Sequence, residues 1–276
     1  MINTLKTLAS ATALLATFAT AGTAGETLDR VKAENMLTVG TNSDWAPQAF
    51  LNDKNEMDGF DIDVARAIAK ELGVDVEFVT PGWEVMTAGR WSGRWDIVVG
   101  SMTPTAKRAE VLDFPAVYYF TPAAFVVHND FEGTEIENLN GKTVGVTPAS
   151  TFHQYLQHSL VIDAKGVPAF DYKVTPGEIR TYGAGLSEFD DLRLGNGTRL
   201  DGILQSLPTI LKAVESGMPI KQLGDPVFYE PLSIAIDKGD DEFKADIAEI
   251  VEKLREDGTL TQLSQKWYGV DYTTTN

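Results

Sequence analysis

The sequence predicts an α/β protein built from two similar units, each a mainly parallel sheet flanked by helices. Short strand patterns alternate with amphipathic helix patterns from residue 36 onward, and the alternation starts again near residue 139. Such alternation favours parallel strands joined by crossover helices. The chain has 276 residues, 43% of them apolar, which is enough for one large domain or two of ordinary size.

The first 24 residues are typical of a secretory signal peptide. Lys6 precedes the apolar run LASATALLATFAT, and small residues before Gly25 form a cleavage site. The run is too short and too rich in Ala and Thr to be a membrane span of about 20 apolar residues. Because the chain has no cysteine, it has no disulfide and no cysteine to carry a lipid. We therefore expect cleavage and export to the periplasm.

Charge and composition disfavour several classes of function. The formal charge is −17, and cleavage of the leader removes Lys6 and no acid, which leaves −18. Proteins that bind nucleic acids or anionic membranes need basic surface patches, which so acidic a chain disfavours. The three histidines have no metal-ligand spacing, and no G-x-S-x-G elbow or phosphate loop occurs, although composition alone leaves a Ser-His-Asp triad open. We expect no metal and no cofactor.

The elements of the first unit follow one another closely. A strand is predicted at MLTVGT, and a helix at DIDVARAIAKELG, with Asp61 as its N-cap and Gly73 as its stop. Next come an alternating strand, VDVEFV, and a shorter helix, WEVMTAGRW. The strand WDIVVG is continuously apolar after its first two residues, which is typical of a strand buried on both faces.

The second unit repeats this order. Strands are predicted at LNGKTVGV, FDYKV and RLDGILQ, and helices at STFHQYLQ and EFDDLRLG. One more extended segment, YEPLSIAIDKG, precedes a strong helix at DEFKADIAEIVEKLREDG, and the chain closes with LTQLSQKWYG.

Ligands of open α/β sheets bind beyond the carboxyl ends of the strands, and five loops occupy those positions here. In the first unit they are NSDWAP, TPGW and GSMTPTAKR, and in the second they are TPASTF and SLP. These loops hold most of the hydroxyls and tryptophans that stand beside prolines. We expect a site where they converge.

Arg108 is the candidate anion-binding residue of these loops. Thr103 followed by Pro104 predicts an N-cap with proline at the first helical position, and such a helix start attracts anions. A guanidinium one turn further on can grip a carboxylate with two parallel hydrogen bonds. The alternative is a solvated surface arginine beside Lys107.

Two tryptophans could form the walls of the site. Trp45 and Trp83 follow different strands, and aromatic walls bury apolar groups or hold a cation. The alternative for both is ordinary core packing. We assign Trp91, Trp95 and Trp267 to packing.

With these motifs the chain resembles the periplasmic solute-binding proteins of polar amino-acid ABC importers, family 3. The resemblance runs from about Leu37 to Gly269 and rests on LTVGTNSDWAPQAF, MDGFDIDVARAIAKELG, WDIVVGSMTPTAKRAEVLDFPAVYY, LNGKTVGV and DGTLTQLSQKWYG. It implies a type II periplasmic-binding-protein fold in which two lobes close on a ligand. Lobe I would comprise residues 26–121 and 230–276, lobe II residues 122–229, and the two-stranded hinge residues 120–123 and 229–231.

The resemblance also implies roles for individual residues. Arg108 matches the arginine that grips the ligand carboxylate, and Trp45 and Trp83 match the aromatic and apolar walls. The positions that meet the ligand's ammonium match Gly100, Ser101 and Thr103. The lobe II residues that complete the carboxylate cradle match Ser150 and Thr151, with Thr147 lining the slot.

One position departs from the family pattern. The lobe II aspartate that pairs with an α-ammonium falls on Ser206 here, within TRLDGILQSLP. A buried ammonium without a carboxylate partner costs free energy, so either another acid substitutes or the ligand is not an ordinary α-amino acid. The candidate substitutes are Asp44, Glu84, Glu188 and Asp190.

The resemblance implies a monomeric receptor that captures a small carboxylate-bearing solute and delivers it to an inner-membrane permease and ATPase, without a catalytic residue. The alternative is an enzyme on the same fold, similar to cyclohexadienyl dehydratase, whose general acid would be Glu84 or Glu178. A sensor ectodomain is disfavoured because the chain ends in GVDYTTTN rather than in a membrane helix.

Overall fold

A computed structural model describes residues 26–164, 167–183 and 187–274, so the predicted signal peptide lies outside the described residues. The helices are α1 (Glu26–Glu34), α2 (Phe60–Leu72), α3 (Trp83–Thr87), α4 (Ala106–Ala109), α5 (Thr151–Leu156), α6 (Glu188–Leu192), α7 (Leu207–Glu215), α8 (Asp241–Glu256) and α9 (Thr259–Tyr268). The strands are β1 (Met36–Gly40), β2 (Asp44–Trp45), β3 (Ala49–Leu51), β4 (Met57–Asp58), β5 (Asp75–Val79), β6 (Ile97–Met102), β7 (Leu112–Asp113), β8 (Val117–His128), β9 (Thr143–Val146), β10 (Glu178–Thr181), β11 (Gly202–Ser206) and β12 (Ile220–Asp237). None of the described helices combines the length and the apolar character needed to cross a membrane.

A nine-stranded mixed sheet is the centre of the fold. Its strands lie in the order β10-β9-β11-β8-β12-β6-β1-β5, and β7 pairs with β12 beside this path. At each end the strands are parallel: β1 pairs with β5 and β6, and β9 pairs with β10 and β11. The middle strands are antiparallel, and β2, β3 and β4 form a small separate sheet. The predicted α/β class with parallel strands in each unit is confirmed.

Two long strands connect the parallel ends of the sheet. β8 and β12 pair antiparallel along most of their length, with a break in register between Leu223 and Phe228. Around the middle of this ladder, Thr121 lies opposite Glu230, and Phe120 lies opposite Pro231. β8 and β12 are therefore the central pair of strands between the two parallel ends of the sheet.

The apolar side chains form separate cores on the two sides of this ladder. We call the part of the chain that packs around the core of β1 and β6 the first unit, and the part that packs around the core of β9 and β11 the second unit. The first unit holds its core between α2, α8 and the strands β1 and β6; the second holds its core around β8, β9 and β11 with α5 and α7. Trp91 and Trp95 pack in the first unit, 5.4 Å apart between ring centroids, as predicted.

Helix α2 shows how a local pattern is adjusted by tertiary contacts. Val64 and Ile68 face the core, and Gly73 ends the helix in the left-handed conformation, as the pattern predicts. The predicted N-cap at Asp61 is wrong, because the helix begins at Phe60 after Gly59, which has φ +127°. The Asp61 carboxylate instead points into the core, where it accepts hydrogen bonds.

The predicted strand FDYKV is also wrong. Residues 170–174 form no regular element, and β10 begins at Glu178 instead. The side chain of Tyr155 takes the place of a neighbouring strand: its hydroxyl donates to the carbonyl of Asp171 (2.8 Å) and accepts from the amide of Lys173 (3.1 Å). These backbone groups are satisfied without a sheet.

Candidate functional site

A cavity of about 760 Å³ lies between the two units at the carboxyl ends of their strands. Four of the five loops expected to converge line it directly; the fifth, SLP, is flanked by the lining residues Gln205 and Thr209. Of the predicted site residues, the structure places eight on the cavity wall: Trp45, Trp83, Ser101, Thr103, Arg108, Thr147, Ser150 and Thr151.

Arg108 lines this cavity and is only 4% exposed. It belongs to the short helix α4, whose N-cap is Thr105 and not Thr103 as the sequence predicted. The Thr105 hydroxyl accepts from the amide of Arg108 (3.3 Å), which leaves Thr103 free to contact other groups. The alternative of a solvated surface arginine is excluded by this burial.

The Arg108 guanidinium bridges the two units. Its Nη1 donates to the carbonyl of Thr103 (2.8 Å) in the first unit, and its Nη2 donates to the carbonyl of Ala149 (2.9 Å) in the second. Its Cζ lies 5.1 Å from the ring centroid of Trp83, within cation–π range. Burial lowers the pKa of Arg108 to about 10, and the nearby charge of Glu230 acts in the opposite direction. The side chain is therefore charged at neutral pH.

Four buried polar atoms of residues that line the cavity have no hydrogen-bond partner within the described part of the chain. They are Nε of Arg108, the hydroxyl of Thr41, and the indole Nε1 atoms of Trp45 and Trp83. All four can donate, and an unpaired buried donor costs about 1–3 kcal/mol.

Glu230 is a cavity residue that the sequence prediction missed. It comes from the middle of β12 and is 3% exposed. Its Oε1 accepts from the hydroxyl of Thr103 (2.8 Å) in the first unit and from the hydroxyl of Thr151 in the second. Burial raises the pKa of Glu230, while Thr151, Thr103 and Arg108 act against that rise. The signal in the sequence is a lone acid inside the otherwise uncharged run YEPLSIAI.

Ser101 lines the cavity, but its hydroxyl faces the core. It has φ +53°, an unusual value for a non-glycine residue. Its Oγ donates to Oδ2 of Asp61 (2.7 Å) and contacts the hydroxyl of Tyr119, and its amide donates to the hydroxyl of Tyr118 (2.9 Å). The buried Asp61 thus fixes the loop that follows β6.

The hydroxyl of Ser150 is used within its own loop. It caps α5 by accepting from the amide of His153 (3.1 Å), and it donates to the carbonyl of Thr147 (2.6 Å). The Thr151 hydroxyl is committed to Glu230. The second-unit hydroxyls therefore shape the wall by contacts within the protein.

Two predicted site residues do not line the cavity. Gly100 lies inside β6, where an added Cβ would be 3.4 Å from Nδ2 of Asn42. Ser206 is fully buried; its hydroxyl accepts from Nε2 of Gln48 (3.3 Å), and its amide donates to Oε1 of Gln205 (2.8 Å). Gln48 belongs to the first unit, so the position of the family aspartate is occupied by a contact between the units.

All four acids named as substitutes for that aspartate line the cavity: Asp44, Glu84, Glu188 and Asp190. Glu188 is buried and accepts from Nε2 of Gln205 (3.0 Å). Its pKa is raised by burial, and the nearby charge of Asp44 acts in the same direction. Glu178, one of the two acids considered for catalysis, instead pairs with Arg180 on the exposed strand β10.

Further contacts hold the two units together at the rim. Gln48 accepts from the hydroxyl of Thr209 (3.2 Å), and Thr105 forms a β-bridge with Ile162. The amide of Asp163 donates to the carbonyl of Pro104 (2.9 Å). The two units are therefore in direct contact beside the cavity in this structure.

Residues 37–270 match the profile of the family described as bacterial extracellular solute-binding proteins, family 3. The L-cystine-binding protein TcyJ of Escherichia coli is 28% identical over 249 residues, which cover 89% of this chain and 87% of that protein. The family that the sequence motifs indicated is confirmed.

Two solved structures are similar to this one. An ancestral arginine-binding protein bound to arginine is 31% identical with a TM-score of 0.72, and the match covers 85% of this chain and 99% of that chain. An ancestral amino acid-binding protein, described as a precursor of cyclohexadienyl dehydratase, is 29% identical with a TM-score of 0.74, over 88% and 99% of the two chains. The predicted two-lobed fold is confirmed.

Proposed function

The chain belongs to the bacterial extracellular solute-binding proteins of family 3, and we propose that it is the receptor of an ABC importer for an amino acid or a related small carboxylate. The relatives reported above are named for binding cystine and arginine, which supports a ligand of this class. The ligand would lie in the cavity between the units, where Trp45 and Trp83 flank it.

The observation that carries this proposal is the buried charge of Arg108. The buried guanidinium donates to two backbone carbonyls, and its Nε has no partner among the described residues. The opposite charge that acts on it is that of Glu230. A carboxylate binding there would form charge-assisted hydrogen bonds, which are about twice as strong as neutral ones.

Ligand capture would couple to closure of two lobes. We place lobe I at residues 26–121 and 230–276, lobe II at residues 122–229, and the hinge at residues 120–123 and 229–231. The separate cores on the two sides of the β8–β12 ladder support these limits. A ligand that touches both lobes favours the closed form in proportion to its differential affinity for that form.

The cellular setting follows from this role. The protein would be exported through its signal peptide, act as a monomer in the periplasm, and deliver its ligand to an inner-membrane permease and ATPase. It would bind its ligand without transforming it. A dehydratase would need a proton donor aimed at a leaving hydroxyl, and incubation with prephenate or arogenate followed by NMR should give no product.

The test is calorimetric titration of the mature protein, residues 25–276, with carboxylate ligands chosen by thermal shift. A ligand that binds only the folded form raises the melting temperature according to its concentration and affinity. We expect Arg108→Ala to weaken binding by at least about 100-fold, because a buried charged partner is lost. Lys107→Ala, at the exposed neighbouring position, is the matched control. Normal binding by Arg108→Ala would refute the carboxylate role.

A further inference from the structure

Five carboxylates line the cavity, and they differ in how close they lie to Arg108. Asp44, Glu84, Glu188 and Asp190 line it together with Glu230. In an α-amino acid the ammonium and the carboxylate are bonded to the same carbon. If the carboxylate binds Arg108, the partner of the ammonium must therefore lie beside Arg108.

Glu230 is the acid that meets this condition. Its charge acts on Arg108, and the charge of Arg108 acts on Glu230. Both side chains also contact the same residue, since the Thr103 carbonyl accepts from Arg108 and the Thr103 hydroxyl donates to Glu230. Glu188, in contrast, is influenced by Asp44 and is held by Gln205.

The two oxygens of Glu230 are used differently. Oε1 accepts from both threonines, whereas Oε2 accepts no hydrogen bond from any residue that the structure describes. The side chain is 3% exposed and still borders the cavity. A carboxylate oxygen with open lone pairs, on a buried residue that lines the cavity, is suited to a cationic donor.

The position that would normally supply this acid cannot do so. Ser206 carries no charge, does not border the cavity, and has its hydroxyl bonded to Gln48. An ammonium in the closed cleft would be left without a countercharge unless another acid reaches it.

We propose that Glu230, on the hinge strand, binds the amino group of the ligand in place of the lobe II aspartate that is absent here. The proposal rests on the proposed capture of the ligand carboxylate by Arg108. It makes the ligand a zwitterion whose two charges are gripped side by side at the base of the cleft. Because Oε1 of Glu230 also joins Thr103 of lobe I to Thr151 of lobe II, the amino group would bind where the closed lobes meet.

The experiment compares pairs of ligands that differ only in the amino group. Each of the twenty L-amino acids and L-cystine is titrated calorimetrically, and every binder is paired with its deaminated counterpart, such as 5-guanidinopentanoate for L-arginine. The variant is Glu230→Gln, whose amide oxygen still accepts from both threonines but carries no charge. The matched control is Glu188→Gln, which neutralises another buried acid of the same cavity.

We expect the wild type to prefer the amino form by about 100-fold, since a buried charge-assisted contact is worth this much or more. Glu230→Gln should reduce this preference below about 10-fold, mainly by weakening the amino form, and Glu188→Gln should keep it. If Glu230→Gln fails to fold, Glu230→Asp, which keeps the charge but shortens its reach, should weaken the amino form more than 10-fold and spare the other.

The contrary outcomes are distinct. Equal wild-type affinity for both forms, lost in Arg108→Ala, would overturn the role of Glu230 and leave the proposed function standing. Equal weakening of both forms by Glu230→Gln would show that Glu230 only ties the lobes together. Loss of the preference in Glu188→Gln would assign the amino group to that acid. No binding of any carboxylate by the wild type would refute the proposed function, and this inference with it.

Discussion

The Asp61 carboxyl is buried behind Ser101, a residue that lines the cavity, and provides a test of the electrostatics of lobe I. It is fully inaccessible, and it accepts from the hydroxyls of Ser101 and Tyr118 (both 2.7 Å). Burial raises its pKa from 3.8 to about 7, although these two hydrogen bonds act in the opposite direction. The perturbation we consider is Asp61→Asn, which resembles the protonated acid at every pH.

The direction of the effect follows from proton binding. Between pH 4 and pH 7 the folded protein holds the Asp61 proton more tightly than the unfolded chain does, so its free energy of unfolding falls as pH rises. One pKa unit corresponds to about 1.4 kcal/mol, which gives a total of about 4 kcal/mol across this window for the values above. In Asp61→Asn this contribution is absent. The wild type should therefore lose about 4 kcal/mol relative to the variant between pH 4 and pH 8.

Urea titrations followed by far-UV circular dichroism at intervals from pH 4 to pH 8 measure this difference. Contributions from other acids cancel when the two proteins are compared. Tyr118→Phe removes a donor to the carboxylate and should move the fall in stability to higher pH. A difference between wild type and Asp61→Asn that stays constant within about 1 kcal/mol over the whole range would refute the reasoning.

Two backbone and packing predictions complete the set. In Gly59→Ala, at φ +127°, the new Cβ would lie 2.3 Å from the Gln48 carbonyl oxygen, so the free energy of unfolding should fall by at least about 2 kcal/mol. Gly73→Ala, at φ +73° with open space around it, should cost only about 1 kcal/mol in the same urea titration, and equal losses would contradict the crowding. Gln48→Ala breaks the contacts with Ser206 and Thr209, through which Gln48, itself not a lining residue, joins the lobes beside the ligand cavity. Calorimetry should show ligand affinity reduced by about 5- to 10-fold through loss of the closed form, and unchanged affinity would contradict this role.

Local patterns in the chain were sufficient for most of the fold. All six residues of β6 are buried, as the apolar run of this strand predicts. Gly73 ends α2 in the left-handed conformation that its position predicts. The errors occurred where a distant group outweighed a local preference. Asp61 has the sequence signature of an N-cap, but the hydroxyls of Ser101 and Tyr118 hold it in the core. Residues 170–174 have a strand pattern, but the Tyr155 hydroxyl satisfies their backbone.

The residues of the candidate site were also predicted only in part by local rules. The rule that ligands bind at the carboxyl ends of parallel strands located the loops, and the family motif indicated Arg108. The rule gave no reason to consider Glu230, because that residue lies within a strand, not after one. Its place on the cavity wall depends on the pairing of β12 with β8, which sets Glu230 opposite Thr121 at the junction of the lobes.

Periodicity and turn residues, which act over short distances along the chain, were enough to predict the fold class and the loops around the cavity, and longer motifs indicated the family by resemblance. Which charges face one another depends instead on how the chain folds. The fold placed Arg108 beside Glu230, which is 122 positions further along the chain, and it used Ser206 for a contact with Gln48. Burial and the distance between charges fix their interaction energies, and both are properties of the folded chain.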